Sequence, residues 1–550
     1  MIVQTNLIKK ICFSFFVLFF FACEDELNLN PKNQYANESF WTNETNAMLA
    51  LTGVYRGPIS HAGTQTKPTD WWSYYGVILL EHATDNAYDR RGDNSNFVTI
   101  TNGNLLANNS YILEYWKSSY KRVAICNDFL ENIIQVDEIN ETTKNRMIAE
   151  VKFIRACQYF YLSQFWGSVP LVTNTLTPDE ANQVEKVDRS TIVEFVIKEL
   201  NEAVPHLPRY KDIPLAESGR ASRQAALGFL GRIYLAEKRF TEASSVYKEI
   251  IDYNDNIIDP DYRSIFLAEN ETSAENIFSV KYLEGDAPNS VQLYSYPSIL
   301  QGFSLINPLG SLAESFEFND GTPFSYDDPR YNSRNLSENR DPRFSYTLLA
   351  DGDSFSGQKF ITHPDSINSK DVISYANQAT RTGYACIKFC QEFFSGDPRN
   401  DYGADVPLLR YAEILLSYLE AKLEAGDPIT QELLDQTINK VRGRESVNMP
   451  SVTETDPDLL RPLLRNERRV ELAMEGLRYW DLLRWGIIGE TLQGDFWGAP
   501  YPDSQRYATV TKKIDSNARW YVTSKNFRVG QDEFWPIPES ESNINPKLIQ

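Results

Sequence analysis

The chain is 550 residues long and carries 75 Asp and Glu against 54 Lys and Arg, a formal net charge of −21 at pH 7. A surface that acidic disfavours nucleic acid or anionic lipid as a partner. Four His and six Cys, scattered along the chain, suggest neither a zinc site nor a disulfide framework, so no metal and no cofactor is expected.

At the N-terminus Lys9-Lys10 precede an apolar run over residues 11–21, which is followed by Ala22 and Cys23. That run is too short for a spanning helix, which takes about 20 residues. It reads as an export signal over 1–22. Its end at a Cys resembles the lipobox of bacterial lipoproteins, although Phe20 stands where a lipobox usually has Leu. Cys23 is therefore the expected lipidation site and residues 23–40 a polar tether. At about 0.8 kcal/mol per buried CH₂, several acyl chains anchor a protein stably.

Helical spacing begins at 41–56 and stops at Gly57-Pro58. Residues 60–103 show no sustained period. Long helices are expected over 111–136, 141–166 and 191–207. The stretch 222–252 organises the rest. Ala226, Phe229, Leu230, Ile233 and Tyr234 share one helical face behind a Ser222 N-cap, and Ala243, Val246, Tyr247, Ile250 and Ile251 repeat the spacing after a short turn. Leu230, Gly231, Tyr234, Ala243 and Tyr247 sit where a tetratricopeptide (TPR) hairpin places them. One hairpin cannot bury its own apolar face, so others should stack on it.

From 253 to 405 Pro, Gly, Asn and Asp punctuate the chain every few residues. Helical pattern returns at 411–425, 431–444 and 457–485, and the last sixty or so residues read as irregular. The expected fold class is mainly α: a TPR-like helical-repeat scaffold with long loop-rich insertions and little β-structure. Its N-terminal helical region covers 41–252, with a loop insertion at 60–103. Its C-terminal region covers 253–550: a loop-rich insertion at 253–405, TPR-like helices at 406–486 and an irregular tail at 487–550.

Glu467, Glu471 and Glu475 fall at helical spacing and raise the possibility of acid/base chemistry. Glycosidase carboxylates must face each other across a cleft, which residues stacked on one helix do not. An ion-pair lattice with Arg465, Arg468, Arg469 and Arg478 is the better reading, and no catalytic residue is assigned. Cys126, Cys157, Cys386 and Cys390 read as free buried thiols or a single disulfide. Two loop clusters combine rings with hydrogen-bonding groups. The first holds Trp71, Trp72, Tyr74, Asp85, Asn86, Tyr88, Arg90, Arg91, Asp93 and Asn94; the second holds Tyr282, Tyr294 and Tyr296. A ring covers the C–H face of a sugar while Asp, Asn and Arg satisfy its hydroxyls, so both are candidate glycan-binding loops. The competing reading of each ring is core packing where the loop meets the scaffold. Arg90 and Arg91 either select an acidic sugar or are paired internally.

An ordered series spans the chain: Cys23, Phe40-Trp41, Phe153-Ile154-Arg155-Ala156, Gly167-Ser168-Val169-Pro170-Leu171 and Gly219-Arg220. It continues with Arg410-Tyr411-Ala412-Glu413, Asn439-Lys440-Val441-Arg442-Gly443-Arg444, Glu467-Arg468-Arg469, Trp480-Asp481-Leu482-Leu483-Arg484-Trp485-Gly486 and Pro536-Ile537-Pro538. This series resembles the SusD/RagB family of outer-membrane lipoproteins. The resemblance implies a binding protein and not an enzyme, lipid-anchored on the outer face of a Gram-negative outer membrane. Such a protein caps a SusC-like TonB-dependent transporter barrel and delivers an oligosaccharide, sometimes a peptide, to it. Two alternatives stay open: a glycoside hydrolase, and a TPR adaptor that binds only protein.

Overall fold

The computed structural model describes residues 40–57, 70–376, 378–392 and 399–549. The leader, Cys23 and residues 24–39 of the tether lie outside them.

The fold is mainly helical. Its first helix, α1 (Glu44–Arg56), starts on an Asn43 cap and ends at Gly57, as the Gly-Pro stop signal requires. A short strand β1 (Ala87–Asp89) follows. The helices α2 (Ser110–Asn132), α3 (Glu141–Phe165) and α4 (Arg189–Ala203) come next. Then comes the hairpin α5 (Arg223–Ala236) and α6 (Phe240–Tyr253). Ser222 caps α5 by accepting from the Ala225 N–H, and a Cβ on Gly231 would lie 2.3 Å from the Tyr247 ring. Only glycine lets α6 approach this closely.

Strand β2 (Asn276–Val280) and strand β3 (Ile306–Pro308) lie within the insertion, and β4 (Val406–Arg410) closes it. β4 pairs antiparallel with β2, which pins together the two ends of a 125-residue excursion in the chain. Helix α7 (Tyr411–Glu424) starts directly after β4, followed by α8 (Pro457–Glu471) and α9 (Arg478–Arg484). Contacts run α2–α3–α4–α5–α6 and then across the insertion from α6 to α7 and α7 to α8. The α5–α6 hairpin does stack on other helices, and the repeat scaffold ignores the interruption at 253–405. Four described cysteines, Cys126, Cys157, Cys386 and Cys390, are free and buried.

Three expectations need correction. The stretch 431–444 is two short helices, Gln431–Gln436 and Ile438–Arg442, broken where Thr437 leaves helical geometry. The stretch 457–485 breaks after Glu471, where Met474 and Gly476 take positive φ, so Glu475 is not on the helix that carries Glu467 and Glu471. The tail is not wholly irregular. Strands β5 (Gln493–Pro500) and β6 (Arg519–Asn526) form an antiparallel hairpin, and β6 hands on to a backbone bond from Asn526 N–H to Thr101. The alternation that marks a strand is blurred in β5 by Gly494, Gly498 and Pro500 and by two register shifts.

Candidate functional site

The two ring clusters converge, but on each other and on the core. The Trp71 ring stacks between Tyr115 at 4.1 Å and Tyr161 and Phe165 at 4.6 and 4.9 Å, and its Nε1–H donates to Ser119 Oγ. The Arg122 guanidinium lies 5.0 Å over the Trp72 ring, with the Phe278 edge at 5.2 Å. Tyr74 and Tyr294 are buried against each other, and the Tyr74 N–H donates to the half-buried Tyr282 hydroxyl at 2.8 Å. Tyr296 is fully buried in a separate small core and donates to the Gln391 carbonyl at 2.7 Å. Trp71, Trp72, Tyr74, Tyr294 and Tyr296 therefore have no ring face left for a ligand. Loops this long, with few strands to shield them, must supply their own core, and large rings cover the most area per residue.

Asp85 and Asn86 are structural as well. Asp85 lies between Arg469 at 2.9 Å and Arg478 at 2.8 Å, and Asn86 bonds Glu81 and Arg469. Burial alone would raise the Asp85 carboxyl, but Arg469 and Arg478 hold it well below the usual range. Beside them burial pushes the Glu81 carboxyl up to about 7, the Lys525 ammonium down to about 7 and the His82 ring down to about 4. Lys525 reaches from β6 to the Thr84 carbonyl at 2.5 Å, so this polar knot ties the N-terminal loop to the C-terminal hairpin.

The carboxylates Glu467, Glu471 and Glu475 do sit in an ion-pair lattice, with partners other than the expected Arg465, Arg468, Arg469 and Arg478. Glu471 faces Arg343, Arg410 and Arg444 at 2.9–3.1 Å, Glu467 faces Arg343 and Arg442, and Glu475 faces Arg410 and Lys388. Burial opposes the Glu471 charge, yet Arg444, Arg410 and Arg343 hold its carboxyl down at about 2. All three carboxylates are closed to a substrate by these partners.

Arg90, Arg91, Asp93 and Asn94, the turn after β1, remain at the surface. Tyr88 is buried, and its hydroxyl donates to Asp93 at 2.7 Å. Arg91 is paired internally: it grips Asp89 through Nε and Nη2, and its Nη1 donates to the Tyr111 hydroxyl. Arg90 forms no ion pair among the described residues, and its Nε is buried without a partner.

Three other segments pack beside this turn. β1 pairs with β3, which sets Arg90 N–H on the Leu305 carbonyl two residues from the exposed Phe303 ring. Arg381 donates from its backbone to Asn307 Oδ1 at 2.8 Å, from Nε to the Arg90 carbonyl at 3.0 Å and from Nη1 to the Ser374 carbonyl at 3.1 Å. The β5–β6 hairpin closes the face: Thr523 donates to Asp93 at 2.7 Å, and Tyr375 donates to the Tyr521 carbonyl at 2.7 Å.

Between the Tyr375 segment and the hairpin opens a cleft of about 280 Å³, walled by Ile367, Val372, Tyr375, Arg506, Val510 and Trp520. The Tyr375 ring stacks on Trp520 at 4.8 Å, and the Lys512 ammonium lies 4.3 Å over it. On the same hairpin the half-buried Trp497 and Tyr521 meet edge-on at 5.6 Å, with Lys513 4.4 Å over Tyr521. Apolar walls, a supported ring and a rim of cationic donors make up the pairing of C–H contact and hydrogen bonding that a polyhydroxylated ligand needs.

Sequence reasoning passed over Tyr375, Arg381, Trp497, Trp520 and Tyr521. The available signal was the Trp520-Tyr521-Val522-Thr523 run with Lys512-Lys513 just upstream, a β-prone aromatic stretch inside a supposed tail.

A family model described as the SusD family matches residues 264–550, and one described as starch-binding associating with outer membrane matches 77–235. A SusD-like protein of Formosa agariphila is 24% identical over 98% of this chain and 97% of its own length. The starch-binding protein SusD of Bacteroides thetaiotaomicron is 22% identical over 64% of this chain and 67% of its own. The crystal structure of a SusD-like carbohydrate binding protein from Bacteroides fragilis superposes with a TM-score of 0.90 at 46% identity, covering 92% of this chain and 99% of that one. A laminarin binding SusD-like protein superposes at 0.68 and 23% identity over 92% and 98%, a likeness of fold.

Proposed function

The chain belongs to the SusD family, and from that membership we propose that it is a surface-exposed lipoprotein that captures an oligosaccharide or polysaccharide without reacting with it. It hands the glycan to a partner SusC-like TonB-dependent transporter. Cys23 carries the lipid anchor and holds the chain on the outer face of a Gram-negative outer membrane.

The observation that carries this reading is the cleft beside Tyr375, open to solvent and backed by Trp520, at the junction of the loop insertions and the C-terminal hairpin. Its ring and apolar walls suit the C–H face of a sugar. Arg506 and Ser374 line the cleft and Lys512 lies over the Tyr375 ring, polar groups that suit a hydroxylated rim. Weak, additive contacts of this kind release a ligand as readily as they hold it, which suits delivery into a pore. The relatives named as carbohydrate-, starch- and laminarin-binding support the same class of ligand. The buried state of Glu467, Glu471 and Glu475 supports binding without hydrolysis.

The test is retention in native affinity gels cast with a panel of polysaccharides, comparing the wild type with Tyr375→Ala and Trp497→Ala. We expect at least one glycan to retard the wild type and the variants to lose retardation while keeping their melting temperature. No retardation in any gel, or release of reducing ends from the retained glycan, overturns the reading. Membrane delivery is checked by Cys23→Ala, which is expected to move the chain from the membrane fraction to the soluble one, and by recovery of an outer-membrane barrel with the wild type.

A further inference from the structure

Arg90 and Arg381 meet beside the cleft, and neither forms an ion pair among the described residues. Arg381 is fixed by two backbone carbonyls, those of Arg90 and Ser374, which orient its guanidinium without neutralising it. The Arg90 side chain has no hydrogen-bond or ion-pair partner among the described residues, and its Nε is sealed from water. Burial lowers the proton affinity of both guanidinium groups, and Arg381 lowers that of Arg90 further; Asp89 opposes the shift on Arg90, and Tyr88 and Asp93 oppose it on Arg381, without cancelling it, and both stay charged at neutral pH. The nearby carboxylates are engaged elsewhere. Asp89 is taken by Arg91 and Ser95, and Asp93 accepts from the hydroxyls of Tyr88 and Thr523.

Acids are abundant in a chain with 75 carboxylates against 54 basic side chains, so two neighbouring arginines without an ion pair do not reflect a shortage of carboxylates. Two like charges held together at a half-buried site repel unless an anion enters. Guanidinium groups are forked donors whose geometry matches planar or tetrahedral oxyanions and gives paired, charge-assisted bonds.

We propose that Arg90 and Arg381 form an oxyanion subsite that accepts the carboxylate of a uronic acid or the sulfate ester of the captured glycan. The proposal rests on the glycan-capture reading above and adds that the ligand is acidic. Asp93 stays hydrogen-bonded to the hydroxyls of Tyr88 and Thr523. A neutral glycan leaves the pair uncompensated and binds less well. Arg91, already held by Asp89, takes no part.

The test uses the full chain in non-ionic detergent on a glycan array printed with matched neutral, uronate-bearing and sulfated oligosaccharides. Wild-type signal is expected on acidic spots, and the uronate and sulfate arms tell the two sources apart. Arg90→Gln is expected to cut that signal at least tenfold, and raising NaCl from about 20 to about 500 mM to weaken it. Because Arg381 holds two carbonyls, Arg381→Gln risks local misfolding; Arg90→Gln does not. A second readout needs no glycan. Inorganic sulfate is expected to raise the wild-type melting temperature more than that of Arg90→Gln, with chloride at matched ionic strength as the reference. Binding confined to neutral spots, or acidic binding and sulfate stabilisation unchanged in Arg90→Gln, overturns the subsite and leaves glycan capture standing. No binding to any spot or affinity gel overturns both.

Discussion

Two arginine-rich regions of this molecule sit in opposite states. Around Glu471 the guanidinium groups of Arg343, Arg410 and Arg444 are almost fully buried, and each faces two or more carboxylates drawn from Glu275, Asp341, Glu467, Glu471 and Glu475. Beside the cleft, the Arg381 guanidinium donates to the Arg90 carbonyl, and neither arginine forms an ion pair among the described residues. The buried hub joins α8 to segments as distant in sequence as Glu275 and Arg343, so its charges hold the C-terminal half together. The second pair joins the turn after β1 to the segment at 374–381 through backbone carbonyls and without an ion pair. The same side chain is thus a structural tie where its partners come from the protein, and a recognition group where the partner has to come from outside.

The comparison breaks first at the hub. Arg410→Ala leaves Glu275, Glu471 and Glu475 buried with one counter-charge fewer, and a loss of about 3–5 kcal/mol is expected as a large drop in melting temperature. An unchanged melting temperature would show that the hub is not structural. Trp71→Ala should also cost about 3–5 kcal/mol, because it empties a stacked core. Any loss of glycan retention in that variant should track unfolding, and a stable variant that no longer binds would return Trp71 to the binding surface.

Acid probes the hub more gently. Glu471 holds its proton at about 2 in the folded chain, against about 4.3 unfolded. The folded state therefore binds fewer protons between these values. The stabilisation is fully present above about pH 4.3 and is lost as pH falls toward 2, roughly 3 kcal/mol in all. Melting curves from pH 6 to pH 2.5 should show that slope, and Glu471→Gln should flatten it.

Smaller effects belong to the open face. Tyr375→Ala should weaken glycan binding about five- to tenfold, near 1 kcal/mol, with stability little changed, as read by titration calorimetry beside a melting curve. Arg90→Gln should leave stability within about 0.5 kcal/mol of wild type, shifted upward, since it removes a like-charge neighbour from Arg381. A marked fall in melting temperature would place Arg90 with the hub.

Much of the scaffold was legible beforehand because its signals are local. The Asn43 and Ser222 caps, the Gly57 stop and the 3.6-residue spacing on α5 and α6 all lie within a turn or two of the feature they define. Gly231 under Tyr247 was legible too, as a small residue opposite a large one in a helical hairpin. The break at Thr437 and the β5–β6 hairpin were not, because each depends on what packs against it. Rings in irregular segments misled for the same reason. A Trp in a loop looks alike whether Tyr115 and Phe165 cover it or solvent does.

By itself the sequence determined most of the long helices, the repeat, the family and the order in which the pieces follow. Only the tertiary structure decided which rings face solvent and which arginines lack a partner. Helix periodicity and capping are set by neighbours three or four residues away, whereas burial and polar pairing are settled between residues more than a hundred positions apart, such as Arg410 with Glu275 or the Arg381 guanidinium with the Arg90 carbonyl.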